Sequence, residues 1–151
     1  MFPSMLQKGP TFTSSPNFSV PENQVSIGTV TATDGDGDTL AYSLSGTDAI
    51  SMSINSSSGE LNFTSPPDYE VKTNYSAIVT ASDGENIATQ EITVEITNIN
   101  DNTPSISSTA IFNVEENQKS IGTVTASDAD GDSVIFYLSG SDASSLNIDS
   151  D

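Results

Sequence analysis

Carboxylates recur in this 151-residue chain in short, spaced groups. Glu22 lies in Val20-Pro21-Glu22-Asn23, and three acids alternate with glycine in Asp34-Gly35-Asp36-Gly37-Asp38. Then come Asp68-Tyr69-Glu70, Ala81-Ser82-Asp83-Gly84 and Asn98-Ile99-Asn100-Asp101-Asn102-Thr103-Pro104. Carboxylates mixed with amide side chains offer only oxygen, which suits a hard cation. Calcium takes about six to eight such oxygens at roughly 2.3–2.6 Å, whereas magnesium prefers a strict octahedron and keeps its waters. Hydrolysis by paired carboxylates is the other chemistry that acids could serve, with Asp68 and Glu70 as the pair; their position at a domain end suits a metal better. An EF-hand would need Gly at loop position six and Glu at twelve. Here those places hold Thr39 and Ser45, and in a second copy of the motif Ser133 and Ser139. The plain alternative for Asp34–Asp38 is a solvated hairpin turn, favoured by Asp-Gly pairs.

The acids repeat in register. Glu22 returns as Glu116, Asp34 as Asp128 and Ile54 as Ile148, each 94 residues on. A period of this length without slippage indicates a tandem array of small domains. Residues 1–9 read as a tail, 10–102 as a first repeat and 103–151 as the first half of a second. The Asn-Asp-Asn segment between the copies places oxygen donors at a domain junction.

Composition narrows the chemistry further. The net charge is -18, from 21 acids against Lys8, Lys72 and Lys119, and there is no arginine. Nucleic-acid binding requires a basic footprint, which is absent. Histidine, cysteine and tryptophan are also absent. That removes Ser-His-Asp and Cys-His catalysis, thiolate chemistry, and zinc held by nitrogen or sulfur. No apolar run approaches the roughly 18 residues of a membrane helix, and residues 1–8 lack an apolar h-region of signal-peptide length.

The elements that must position these acids are strands. Tyr75, Ala77, Val79 and Ala81 alternate, as do Ile92, Val94 and Ile96, the period-two signature of half-buried strands. Turn clusters of Gly, Ser, Asn and Asp separate runs rich in Val and Thr. Strands are predicted near 17–20, 25–33, 39–45, 51–55, 60–64, 73–82 and 88–97. Seven short strands with regular turns make an all-β sandwich. Its predicted core is Val20, Ile27, Val30, Ala32, Tyr42, Leu44, Ile54, Leu61, Phe63, Tyr75, Ala77, Val79, Ile92, Val94 and Ile96. The second repeat has counterparts of only the first four strands, so Val124, Phe136, Leu138 and Ile148 are expected to lack a facing sheet. That half-repeat is expected to fold poorly alone or to recruit another chain. Asp48, Glu60, Glu85, Glu91 and Glu95 read as solvated. Four N-x-Ser/Thr sequons, at Asn17, Asn55, Asn62 and Asn74, occur in a chain so rich in these residues that no glycan is assigned.

Taken in order, Pro21-Glu-Asn23, the Asp34 and Asp128 turns, Asp68-Tyr-Glu70, Ala81-Ser-Asp83-Gly84 and Asn100-Asp-Asn-Thr-Pro104 resemble the cadherin repeat. The resemblance covers residues 10–151 and looks closer to the compact cadherin-like repeats of bacterial surface proteins. It implies a seven-stranded Greek-key β-sandwich, repeated in tandem with the second copy truncated, and calcium clustered between successive repeats. Carried over position by position, the ligands would be Glu22, Asp68 and Glu70 from the first repeat and Asn100, Asp101 and Asn102 from the linker. The second repeat would add Asp128 and Asp130, while Glu116 belongs to a following joint. Asn98 departs from the pattern, since the family linker usually has an acid there. The counterpart of Asp83 falls outside residues 1–151, with Asp132 a candidate substitute. Gln7-Lys8-Gly9 replaces the linker at the other end, so weak calcium binding or none is expected at Asp34, Asp36 and Asp83.

The resemblance thus implies a calcium-binding extracellular or cell-surface module of an adhesion protein, in which calcium stiffens the joint between neighbouring repeats. Its partners would be adjacent repeats and another adhesin or a surface glycan. The rival readings are a calcium-dependent carbohydrate-binding module and a passive spacer in a large secreted protein. An enzyme is not expected.

Overall fold

The computed structural model describes residues 6–151, so of the expected tail residues 1–5 lie outside the described residues. The chain divides into two compact units, Met1–Ile99 and Asn100–Asp151.

Among its described residues the first unit is all-β apart from one 3₁₀ turn at Ala49–Ser51. Its strands are β1 (Pro10–Phe12), β2 (Asn17–Pro21), β3 (Ser26–Thr29), β4 (Ala32–Asp34) and β5 (Ala41–Ser45), then β6 (Met52–Ile54), β7 (Glu60–Phe63), β8 (Asn74–Ser82) and β9 (Ile87–Thr97). One sheet has the order β2-β9-β8-β5, with β2 parallel to β9 and the other pairs antiparallel. The second is β3-β7-β6, antiparallel throughout. A separate antiparallel ribbon joins β1 to β4. These layers form a Greek-key β-sandwich.

Alternation along the strands fills the space between the sheets. Ala77, Val79 and Ala81 from β8 and Ile92, Val94 and Ile96 from β9 meet Ile27, Met52, Leu61 and Phe63 from the other sheet. Val30, Leu61, Val79, Ile92 and Val94 are fully enclosed. Phe63 packs edge-on against Tyr75 with ring centroids 4.9 Å apart. Eleven of the residues anticipated for the core are buried. Ala32, Leu44, Ile54 and Tyr75 are partly buried at its margin, and Met52 and Ala81 join it.

Two features differ from the alternation reading. The expected strand over 25–33 is two strands, and β1 precedes the first one anticipated, so the described residues of this unit form nine strands rather than seven. The chain leaves β7 after Thr29 and pairs with β1 from Ala32. Val30 between them donates its N–H to the Gly59 carbonyl at 2.9 Å. Residues of one continuous Val/Thr run thus serve two ladders, which side-chain alternation cannot report because both segments keep the same period.

The second unit differs more. Four strands were expected there. It carries a single ladder, β10 (Ser105–Ile106) with β11 (Ala126–Ser127), and a 3₁₀ turn at Ala143–Ser145. No residue from 101 to 151 is buried. The reason lies in the pairing of the first unit. There β2 needs β9, β5 needs β8, and β3 and β6 both need β7. Only the β1–β4 ribbon closes on itself, and its equivalent, 94 residues on, is the ribbon that forms.

Candidate functional site

Each unit presents its own set of acids. At one end of the first unit, the backbone locks Glu22 in place. Its N–H donates to the Thr97 carbonyl at 3.1 Å, and the Asn23 N–H donates to Pro67 O at 3.0 Å. Asn23 sits at φ 67°, a left-handed conformation that Asn tolerates better than most residues. The Glu22 side chain is 1% exposed. Its Oε2 accepts the Tyr69 N–H and its Oε1 the Ile99 N–H, both at 2.8 Å. One carboxylate therefore holds the Asp68-Tyr69-Glu70 turn and the end of β9 together. Burying a charge is costly unless it is hydrogen-bonded, and here both oxygens have donors. Asp68 Oδ1 accepts the Glu70 N–H at 2.9 Å, which turns the two acids out to solvent.

At the other end of the first unit, carboxylate oxygens of Asp34, Asp38 and Asp83 lie within 4.8 Å of one another. Asp34 Oδ1 accepts the N–H groups of Asp36 and Asp38. Its Oδ2 is shut away from water with no hydrogen-bond donor reaching it. The N–H groups of Asn86 and, next in weight, Glu85 hold the Asp83 carboxyl below its ordinary range. The Lys8 N–H donates to Asp36 Oδ2 at 2.6 Å, and the Gln7 side-chain amide donates to Asp38.

The second unit repeats this arrangement on the linker. Asp130 Oδ2 accepts the N–H groups of Asp101 at 3.1 Å and Asn102 at 2.8 Å. Asn102 Nδ2 donates to Asp130 Oδ1 and to Asp101 Oδ1. Asp128 Oδ1 accepts the Asp130 N–H, and the Asn100 amide donates to Asp132. Oxygens of Asp128, Asp130 and Asp132 lie within 4.8 Å of one another. Three like charges so close repel one another, and a bound cation would offset that repulsion. Each of these donor sets is oxygen alone, which fits calcium rather than a softer metal.

The sequence missed Asp48. Expected to be solvated, it is 8% exposed. Its Oδ1 binds Lys72 Nζ at 2.5 Å and its Oδ2 accepts the Ser76 N–H at 2.8 Å. Lys72 also lies 4.8 Å from the Tyr75 ring centroid. The Lys72 hydrogen bond, opposed by burial and aided by Ser76, holds the Asp48 carboxyl below its usual value. The pair fastens the turn before β6 to the start of β8 and takes no part in the acidic edges.

A β-sandwich with acid clusters at both ends defines a class of repeat module, and comparison with known proteins identifies it. The family profile of the cadherin domain matches residues 16–97, more than half of the chain. The chain belongs to the cadherin family. It is 41% identical over 73 residues to mouse cadherin-related family member 2, a match covering 48% of this chain and 6% of that protein. It is similar in structure to human protocadherin-24 EC1-2 (TM-score 0.71, 26% identity, 80% of this chain and 61% of that one). It also resembles the human desmocollin-1 ectodomain (TM-score 0.61, 29% identity, 81% of this chain and 26% of that one). The chain thus spans only a small fraction of the mouse relative's length.

Proposed function

We propose that this chain is a calcium-binding repeat module of an extracellular or cell-surface adhesion protein, in which calcium stiffens the junction between successive repeats. The ligands are Glu22, Asp68 and Glu70 on one side, Asn100, Asp101 and Asn102 in the linker, and Asp128 and Asp130 on the other side. The observation that carries the reading is the ordering of Asp101 and Asn102 around Asp130, with the Asp128, Asp130 and Asp132 oxygens within 4.8 Å of one another. Glu22 supports it from the first repeat, as a buried carboxylate bonded next to both Asp68 and the linker. Calcium would add positive charge that offsets the repulsion among these acids. Extracellular calcium modules bind at about 10⁻⁴–10⁻³ M, so such a site fills outside cells and empties in cytosol.

Calorimetric titration of calcium into the 151-residue chain tests this. Saturable binding in that range is expected, weakened about tenfold in Asp130→Asn, together with a narrower distance distribution in solution scattering. Absence of binding at about 5 mM calcium refutes the metal site, and scattering unchanged by calcium refutes the stiffening.

A further inference from the structure

Residues 7–9 dock on the acidic turn of the first repeat with the same backbone contact that the linker makes on the turn of the second. Lys8 and Asn102 hold equivalent places, 94 residues apart. The Lys8 N–H donates to Asp36 Oδ2 at 2.6 Å, and the Asn102 N–H donates to Asp130 Oδ2 at 2.8 Å. The side chains beside these bonds are opposite in kind. Asp101 brings a carboxylate and Asn102 an amide with an oxygen to offer, whereas Lys8 has donors only. The Gln7 amide donates to Asp38. The Lys8 stem crosses Gly35, where an added Cβ would lie 2.6 Å from Lys8 Cδ. Its ammonium, two bonds beyond that carbon, stays beside the turn that carries Asp34, Asp36 and Asp38. Lys8 is the one base among residues 1–71. Gly9 completes the fit, since a Cβ there would meet the Asn86 side chain at 3.1 Å. Asn86 in turn closes the loop that holds the Asp83 carboxylate, and Pro10 opens β1 opposite Asp34.

We propose that Gln7-Lys8-Gly9 is a built-in latch that closes the acidic edge of the first repeat without a metal. Oxygens of Asp34, Asp38 and Asp83 lie within 4.8 Å of one another, and like charges so placed repel. The Lys8 ammonium offsets part of that repulsion. The Gln7 amide and the Lys8 N–H give Asp38 and Asp36 hydrogen bonds strengthened by the acceptor's charge. Donors and a fixed cation thus take the part that calcium takes at the linker under the proposed function. The latch itself requires no calcium site, so it stands apart from that function. It holds the chain that enters the first repeat at any calcium concentration, whereas the linker between repeats is held by the ion.

Amide exchange followed by NMR on the 151-residue chain, in EDTA and at about 2 mM calcium, tests this. The Lys8 N–H should be protected about fivefold or more in EDTA, and equally in calcium. Lys8→Met keeps a stem over Gly35 and removes the charge; protection of the residue-8 N–H should fall about threefold at low salt. Asp36→Asn should lower it as well, by replacing the charged acceptor. The double variant Gln7→Asp, Lys8→Asn gives this edge the side chains of the linker, and in EDTA its residue-8 N–H should exchange freely. Gln7, Lys8 and Asp36 are all exposed, so these variants should melt as the wild type does in the core of the first repeat. A Lys8 N–H that exchanges in EDTA like an unstructured peptide overturns the proposal. So does protection that calcium raises more than about twofold, or protection undiminished in Lys8→Met or in the double variant. Failure of calcium to bind at Asp130 would leave every one of these readings unchanged, so the latch and the calcium junction fail separately.

Discussion

Replacing Glu22 by Gln separates what this carboxylate does for the fold from what it does for a metal. In the protein Glu22 is 1% exposed and accepts N–H groups from Tyr69 and Ile99 at 2.8 Å each. The amide keeps one oxygen for one N–H and turns its NH₂ toward the other. One charge-assisted bond is lost and a buried donor is left unmet, a cost of about 2–3 kcal/mol. For a domain of this size that lowers the thermal midpoint by roughly 10–20 °C. This loss should appear in full in EDTA, since it needs no metal. Calcium should add a separate increment. At 2 mM calcium and a Kd of about 10⁻⁴ M, one site stabilises the wild type by about 1.8 kcal/mol. If Glu22 is a ligand, Glu22→Gln loses at least about half of that increment on top of its metal-free loss. The assay is urea unfolding in EDTA and in calcium, followed by near-ultraviolet circular dichroism from the tyrosines. An undiminished calcium increment in the variant refutes Glu22 as a ligand. Equal stability of variant and wild type in EDTA refutes the structural account of its two hydrogen bonds.

Two further predictions concern the first repeat alone. Asp48→Asn should cost about 1–2 kcal/mol at neutral pH by removing a charged partner from Lys72 and the Ser76 N–H. The folded carboxyl titrates below its ordinary value of 3.8, so its contribution is whole above about pH 4 and is lost as pH falls through the lowered value. Unfolding curves of wild type and variant should therefore converge in acid; a constant gap down to about pH 2 contradicts the assignment. Gly59→Ala should cost about 3 kcal/mol or more, because Gly59 has φ 75° and an added Cβ would lie 2.1 Å from the Val30 carbonyl oxygen. A melt within a few degrees of wild type would show that this turn relaxes without loss.

What local sequence determined here is what depends on neighbours along the chain. Alternation marked Ala77, Val79, Ile92, Val94 and Ile96 as inward-facing because successive strand residues point to opposite faces, and all five are buried. The 94-residue register carried even backbone detail, for Asn23 and Asn117 take φ 67° and 66° and Gly37 and Gly131 take 81° and 82°. The grouping of acids was legible because the Asp-x-Asp turns close on themselves through short-range bonds such as Asp36 N–H to Asp34 and Asp130 N–H to Asp128.

Tertiary structure decided whatever depends on distant partners. Asp48 gave no local sign of burial because the groups that compensate its charge are 24 and 28 residues away. The break after Thr29 arises because β3 and β4 answer to different strands, β7 and β1. Residues 100–151 have alternating runs expected to form strands and the ladder of one pair, since a strand's hydrogen bonds are completed only by a neighbour. Residue types therefore announced where charge and apolar surface would lie, and the pairing of remote strands determined which of them found a partner.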